Sequence, residues 1–228
     1  TCHEWGIALI GGHTEITAAV AQPVVAGTML GVLRRADLRD KRDAHEGDRV
    51  LLTKAVAVEG TALLATELGS RLRVLGMSDE ELERCRAFAH RLSIVPEARI
   101  ARRFAGVHAM HDVTEGGLAT ALAELGMACG REVAVDRDAV PVSIETKRIC
   151  ALLGADPLGL VGSGSLLVCC APGEAGALLD ALREAGIAAT DIGELGRPGS
   201  GVTARASGCP AEWPVFAVDE VARLLAED

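Results

Sequence analysis

Apolar positions in this chain fall into two rhythms. Short unbroken blocks of Val, Leu, Ile and Ala, bounded by Gly or charged residues, read as buried strands, and longer stretches with apolar residues three and four apart read as helices. "WGIALIGG", residues 5–12, predicts a strand stopped by Gly11 and Gly12, and "QPVVAGTMLGVL", residues 22–33, predicts a second. "VLLTKAV" restarts a strand at Val50, with Lys54 at its end. "AGVHAMH" reads as a short strand running to His111, followed by "REVAVD", "GSGSLLVCCAP", and a strand pair of "IAATDIGEL" and "VTARA" joined by the turn "RPGSG".

The helical rhythm appears between these blocks. "EGTALLATELGSRL" clusters its apolar residues on one face, and Ser78 with Glu81 forms a capping box ahead of "DEELERCRAFAHRL". Pro96 stands where a first helical turn accepts proline. In "LATALAELG", Leu118, Leu122 and Leu125 form one stripe, with Gly126 or Gly130 to end the helix. Ser143 starts a helix closed by Gly154, "GEAGALLDALREAG" one closed by Gly186, and "VDEVARLLAED" a terminal one. From residue 50 onward helices and strands mix, with at least one hairpin, which predicts a layered α+β domain with a mixed sheet. Residues 34–49, "RRADLRDKRDAHEGDR", carry both charge signs and few large apolar groups, as a solvated connection between domains would.

Composition narrows the classes. Of 228 residues 49% are apolar, yet there are only three Phe, two Trp and no Tyr, so the core must be aliphatic. The net charge of −9 argues against nucleic acid or an anionic membrane as partner, but not against nucleotides, which backbone donors can hold. No apolar run is long enough to cross a bilayer. The seven Cys show no CxxC spacing and read as reduced, buried thiols of a cytoplasmic protein, with Cys169 and Cys170 facing opposite ways. The opening "TCHEWG", without Met, reads as a fragment or a trimmed chain.

Three stretches carry candidate chemistry. In "GGHTEIT", Gly11 and Gly12 allow close backbone approach, and His13, Thr14 and Glu15 add a ring, a hydroxyl and a carboxylate; a decorated turn has the same composition. In "HAMHDVTEGG", strand alternation puts His108 and His111 on opposite faces, which argues against a shared metal, and no zinc-like ligand spacing accompanies them. Asp112 and Thr114 suit an N-cap, and Glu115 suits the helix dipole. Gly116 and Gly117 are a costly helix start, so the stretch is either a plain cap or a cradle whose backbone N–H groups meet a phosphate. In "GLVGSGSLLV", Ser163, Gly164 and Ser165 leave room for a ligand or for a close chain crossing. Lys54 is a phosphate ligand in one reading and the solvent end of a strand in another.

"IGGHTE", "AHEGDRVLLTK", "MHDVTEGGLATALAE", "VPVSIETKRICALLGADPLGLVGSGSLLV" and "IGEL" together resemble the aminoimidazole-ribonucleotide (AIR) synthase-related superfamily, nearest its HypE-like branch. The resemblance implies a PurM-like fold, with residues 1–46 ending an N-terminal dimerisation and ATP-binding domain and residues 47–228 forming the C-terminal α/β domain. It implies a cytoplasmic homodimer using ATP and Mg²⁺ to transfer or exploit a phosphoryl group on a small-molecule substrate. Asp112 and His13 are then candidate catalytic groups. Gly11, Gly12, Thr14, Glu15, Thr114, Glu115, Gly116, Gly117, Ser163, Gly164 and Ser165 are candidate nucleotide or phosphate contacts, and the metal ligands are unknown. Two departures, a last Cys at Cys209 and Ser163 and Ser165 where HypE-like chains tend to carry an acid and a Lys, predict a different substrate. They also keep open a non-catalytic binding or scaffold relative, a selenophosphate-synthetase-like kinase, and a domain whose Gly-rich turns are purely structural.

Overall fold

A computed structural model of the chain describes residues 2–3 and 5–227. It divides into two compact units, Thr1–Leu38 and Arg39–Asp228. In the first unit the two expected strands do not form among the described residues: 5–12 and 22–33 run as irregular chain. Leu9, Ile10 and Val25 are 86%, 89% and 94% exposed. A run apolar on both sides becomes a strand only when ladder partners and covering layers take up both its edges and its faces, and this unit provides neither. Among its described residues the one regular element is a single 3₁₀ turn, Arg35–Asp37.

The second unit is built on a seven-stranded mixed sheet. Its strands are β1 (Arg49–Thr53), β2 (Val107–Asp112), β3 (Arg131–Asp136), β4 (Leu166–Cys170), β5 (Ala189–Pro198), β6 (Val202–Ala206) and β7 (Cys209–Ala211). They lie in the order β2-β4-β1-β5-β3-β6-β7. Only β3 and β6 run parallel. The expected pairing of β5 with β6 does not occur. Both edges of β5 are taken, by β1 and by β3, so the chain after "RPGSG" crosses over β3 and docks on its far side. The hairpin is instead β6–β7, turned at Ser207 and Gly208.

Among the described residues eight α-helices flank the sheet: α1 (Val58–Glu67), α2 (Gly69–Val74), α3 (Asp79–Arg86), α4 (Val95–Ala101), α5 (Gly117–Cys129), α6 (Ile144–Leu153), α7 (Pro172–Glu184) and α8 (Glu220–Ala226). Local chemistry sets their ends. Ser78 and Glu81 form the expected capping box of α3, and Ser143 accepts from the Thr146 amide at the start of α6. Gly154 and Gly130 close α6 and α5 with left-handed φ of 66° and 64°. The terminal helix stops at Ala226, and Asp228 lies outside the described residues.

Two aliphatic clusters sandwich the sheet. The larger joins Val50, Leu52, Ala109, Leu167, Cys169 and Leu195 to Leu64, Leu118, Leu122, Leu125, Ile149 and Leu224 of the helices. The smaller joins Leu51, Val107, Leu166, Val168 and Cys170 to α4 and α7. Each fully buried Leu contributes about 1.5–3 kcal/mol. Residues 39–46 pack in this second unit: Ala44 is buried, its carbonyl accepts from Arg131, and Lys41 meets His111.

Candidate functional site

The "DVTEGG" and "GLVGSGS" stretches form one corner of the second unit. β2 ends at Asp112, and the next amide, Val113 N–H, donates to the Ser165 carbonyl at 3.1 Å. The Thr114 carbonyl accepts from both Gly162 and Gly117, each at 3.1 Å. The glycines permit this closeness. A Cβ on Gly117 would stand 2.4 Å from the Leu158 carbonyl oxygen and 2.6 Å from that of Leu160, and one on Gly162 would stand 2.5 Å from Val113 Cγ1. Gly117 also has a φ of +62°. The cost of glycine at a helix start is therefore offset by chain-to-chain packing.

The start of α5 differs from the expected cap. The capping position is Gly116, at φ +74° and with no side-chain cap of its own, rather than Asp112 or Thr114. β2 carries Asp112 in its ladder, and Thr114 stands two residues ahead of the capping position, so neither side chain caps α5. An anion does sit at this helix start, and it belongs to the protein. Asp219 accepts from the Gly116 amide at 2.7 Å through Oδ2, and from the Val221 amide at 2.8 Å through Oδ1. One carboxylate thus serves the first turns of α5 and α8, where helix dipoles favour negative charge. With Gly117 N–H donating to Thr114, both amides expected to cradle a phosphate are engaged from within. Glu115 and Asp112 remain exposed beside them, and Asp112 lies 3.7 Å from His111 Nδ1.

Ser165 is wholly buried, and its hydroxyl donates to the Ala55 carbonyl at 2.6 Å. Ser163 is half-buried. Gly164, at φ +108°, has its carbonyl bound by Lys54. Lys54 fits neither reading made from the sequence. It adopts a left-handed φ of +57°, turns inward, and donates to the carbonyls of Arg91, Ser93 and Gly164. Its Nζ lies 2.6 Å from Oε1 of Glu97, whose side chain is 1% exposed. This buried pair holds the serine loop against the chain before α4. Sequence gave no sign of Glu97, which reads there as an ordinary first-turn acid.

Among the described residues His108 and His111 share no partner, as expected, but the strand that carries them departs from strict alternation. The register of β2 against β4 shifts between Val107 and Ala109, so simple alternation fails. Val107 joins the smaller cluster and Ala109 the larger. His111 is 11% exposed, bonded to Lys41 Nζ at 2.9 Å and to Glu124 Oε2 at 3.2 Å. Burial first, and the Lys41 charge second, lower its pKa below 6.5. His108 instead meets Asp48, at 2.8 Å, and His45. Gly11, Gly12, His13, Thr14 and Glu15 belong to the first unit and are exposed there.

Mg²⁺, implied by the resemblance, takes a shell of about six oxygens, usually including carboxylates and waters. Among the described residues no trio of carboxylates converges at the corner, so these residues do not by themselves fit that ion. Asp219 was missed from sequence because "VDEV" reads simply as a cap of α8. The signal lay in its second carboxylate oxygen, which one cap leaves available.

Comparison with known proteins agrees with this architecture. Residues 45–204 match the family described as "AIR synthase related protein, C-terminal domain". Carbamoyl dehydratase HypE of Cupriavidus necator is 31% identical over 200 residues, covering 84% of this chain and 53% of that protein. HypE of Rhodobacter capsulatus is 29% identical over 180 residues, covering 78% and 50%. The crystal structure of Escherichia coli HypE superposes with a TM-score of 0.66 at 24% identity, covering 81% of this chain and 54% of that one. The chain thus spans about half the length of the relatives it matches. It belongs to the AIR synthase-related protein family, whose C-terminal domain occupies residues 45–204.

Proposed function

We propose that this chain is part of an ATP-dependent enzyme of the HypE type, which activates a small carbonyl- or amide-bearing substrate by phosphoryl transfer in the maturation of a metalloenzyme such as a hydrogenase. The family membership carries this reading, and the relatives that support it are carbamoyl dehydratases. A HypE related in fold, with a TM-score of 0.57, has been solved in complex with ATP. The corner contributes exposed groups at the end of β2. Asp112 contacts the substrate or orients the water that serves it, with the His111 ring beside it, Nδ1 3.7 Å from its carboxylate. Thr114, Glu115, Gly116, Gly117 and the 163–165 loop form the wall next to the nucleotide; Gly11, Gly12, His13, Thr14 and Glu15, in the first unit, are a separate set of candidate polar contacts. ATP provides the phosphoryl group when bound, and two copies of the protein form the working dimer. The test is ATP turnover by the natural full-length protein with Mg²⁺ and a carbamoyl-bearing substrate. Turnover that falls roughly a hundredfold or more in Asp112→Asn supports the reading. Absence of ATP binding and hydrolysis in the unaltered protein refutes it.

One observation favours a second reading. The Asp219 carboxylate already satisfies the Gly116 amide, as expected of a relative that keeps the fold for binding or assembly without catalysis. In that case substrate addition leaves ATP hydrolysis unchanged, and Asp112→Asn has no effect.

A further inference from the structure

Away from the corner, three potential ligands converge where the loop before β1 meets edge strand β2. His45 Nδ1 lies 3.2 Å from His108 Nδ1, and His108 Nδ1 lies 2.8 Å from Asp48 Oδ2. One donor atom from each of the three residues falls within 4.8 Å of the others. Asp48 is 2% exposed, a carboxylate well removed from water. The two rings meet edge to face, with centroids 4.4 Å apart and planes at 76°.

The proton count of this cluster is awkward without a cation. The His45 amide supplies one donor to Asp48 Oδ2, at 2.8 Å. The remaining two contacts both end on His108 Nδ1, one from a carboxylate and one from an imidazole nitrogen. A ring nitrogen carries at most one proton, so a single N–H must serve two acceptors. Moving the proton to His45 leaves the His108 lone pair facing the buried carboxylate. A cation between the three atoms satisfies all of them at once.

The geometry points to a divalent transition-metal site, of the zinc class, built from His45, Asp48 and His108. At ligand distances of about 2.0–2.1 Å, separations of 2.8 and 3.2 Å subtend roughly 85–105° at the ion, within reach of tetrahedral or more open coordination. Imidazole nitrogens with one carboxylate suit zinc and its neighbours better than Mg²⁺ or Ca²⁺. The exposed side of His45 leaves a position for water. The register shift between Val107 and Ala109 falls at His108, and bulges of this kind commonly re-aim a side chain. Asp48 is fixed as well, because its carbonyl accepts from Leu195 at 2.8 Å. The ion ties the 39–48 segment to the edge of the sheet. His111, bonded to Lys41 and Glu124, takes no part.

The test uses the natural protein carrying Cys2→Ser and Cys209→Ser, which removes the two exposed thiols as competing ligands. Zn²⁺ alone and Co²⁺ alone are titrated by calorimetry and visible absorption. One ion per chain is expected, with Co²⁺ d–d bands and no sulfur charge-transfer band. His45→Ala, a change at an exposed side chain, weakens binding at least roughly tenfold and abolishes the bands, while His90→Ala does neither. His108→Asn repeats the loss where it folds. Failure of the unaltered site to bind either ion, or equal binding by His45→Ala, overturns the proposal.

Discussion

Gly117 shows how one residue reports on both packing and chemistry. Two carbonyl oxygens stand within 2.6 Å of where its Cβ would be, and its φ is left-handed. Gly117→Ala is therefore expected to cost about 2–4 kcal/mol, from overpacking and backbone strain together, read as a lower midpoint in urea with unchanged slope. A cost below about 1 kcal/mol would mean that the chains at this corner separate easily. His111 supplies a pH signature. In the unfolded chain its ring binds a proton near pH 6.5, whereas burial and then Lys41 keep the folded ring neutral to lower pH. The unfolded state holds more protons in that window, so stability is full above about pH 6.5 and declines as pH falls through it. Denaturation at pH 7.5 and pH 5.5 should show the decline, and His111→Gln should reduce it. Residue types such as the Gly116-Gly117 pair were legible in the sequence as a demand for bare backbone. Their beneficiary was not, because Leu158, Leu160 and Asp219 reach them only through the tertiary fold.

Elements carry the next level. The helix ends at Ser78, Ser143, Gly154 and Gly130 followed local rules, because these caps are made by neighbours in sequence, whereas the start of α5 is met by the distant Asp219. Strand partners are not local. β5 and β6 looked like a pair because they are consecutive, yet β3 lies between them. The bulge in β2, at His108, was equally invisible. Strand β4 did follow its alternation: Cys169 joins one cluster and Cys170 the other. Its thiols should be inert. Burial pushes Cys170 up to about 11, Cys85 to about 11 and Cys150 to about 12. Cys169 is raised by its hydrogen bond with Cys129 and then by burial. Mass spectrometry after brief alkylation of the native protein should find label on Cys2 and Cys209 and none on Cys85, Cys150, Cys169 or Cys170. Fast labelling of β4 would show that the strand opens readily.

At the scale of the whole molecule, an acidic chain with an aliphatic core and a mixed sheet was readable from composition and order. The layered α+β class holds because the two apolar clusters need helices on both sheet faces. The first unit was misread, since its apolar runs carry strand composition without the partners that make a ladder. Among the described residues no helix is long and apolar enough to cross a membrane. The functional reading rests on the corner being the wall of a nucleotide site in the complete protein. Amide hydrogen exchange addresses it directly, by following residues 112–117 and 162–165 of the full-length protein with and without ATP and Mg²⁺. Slower exchange in both stretches, with the β6–β7 hairpin unchanged, is the predicted result. Bound nucleotide that leaves both stretches exchanging at their original rates would contradict it.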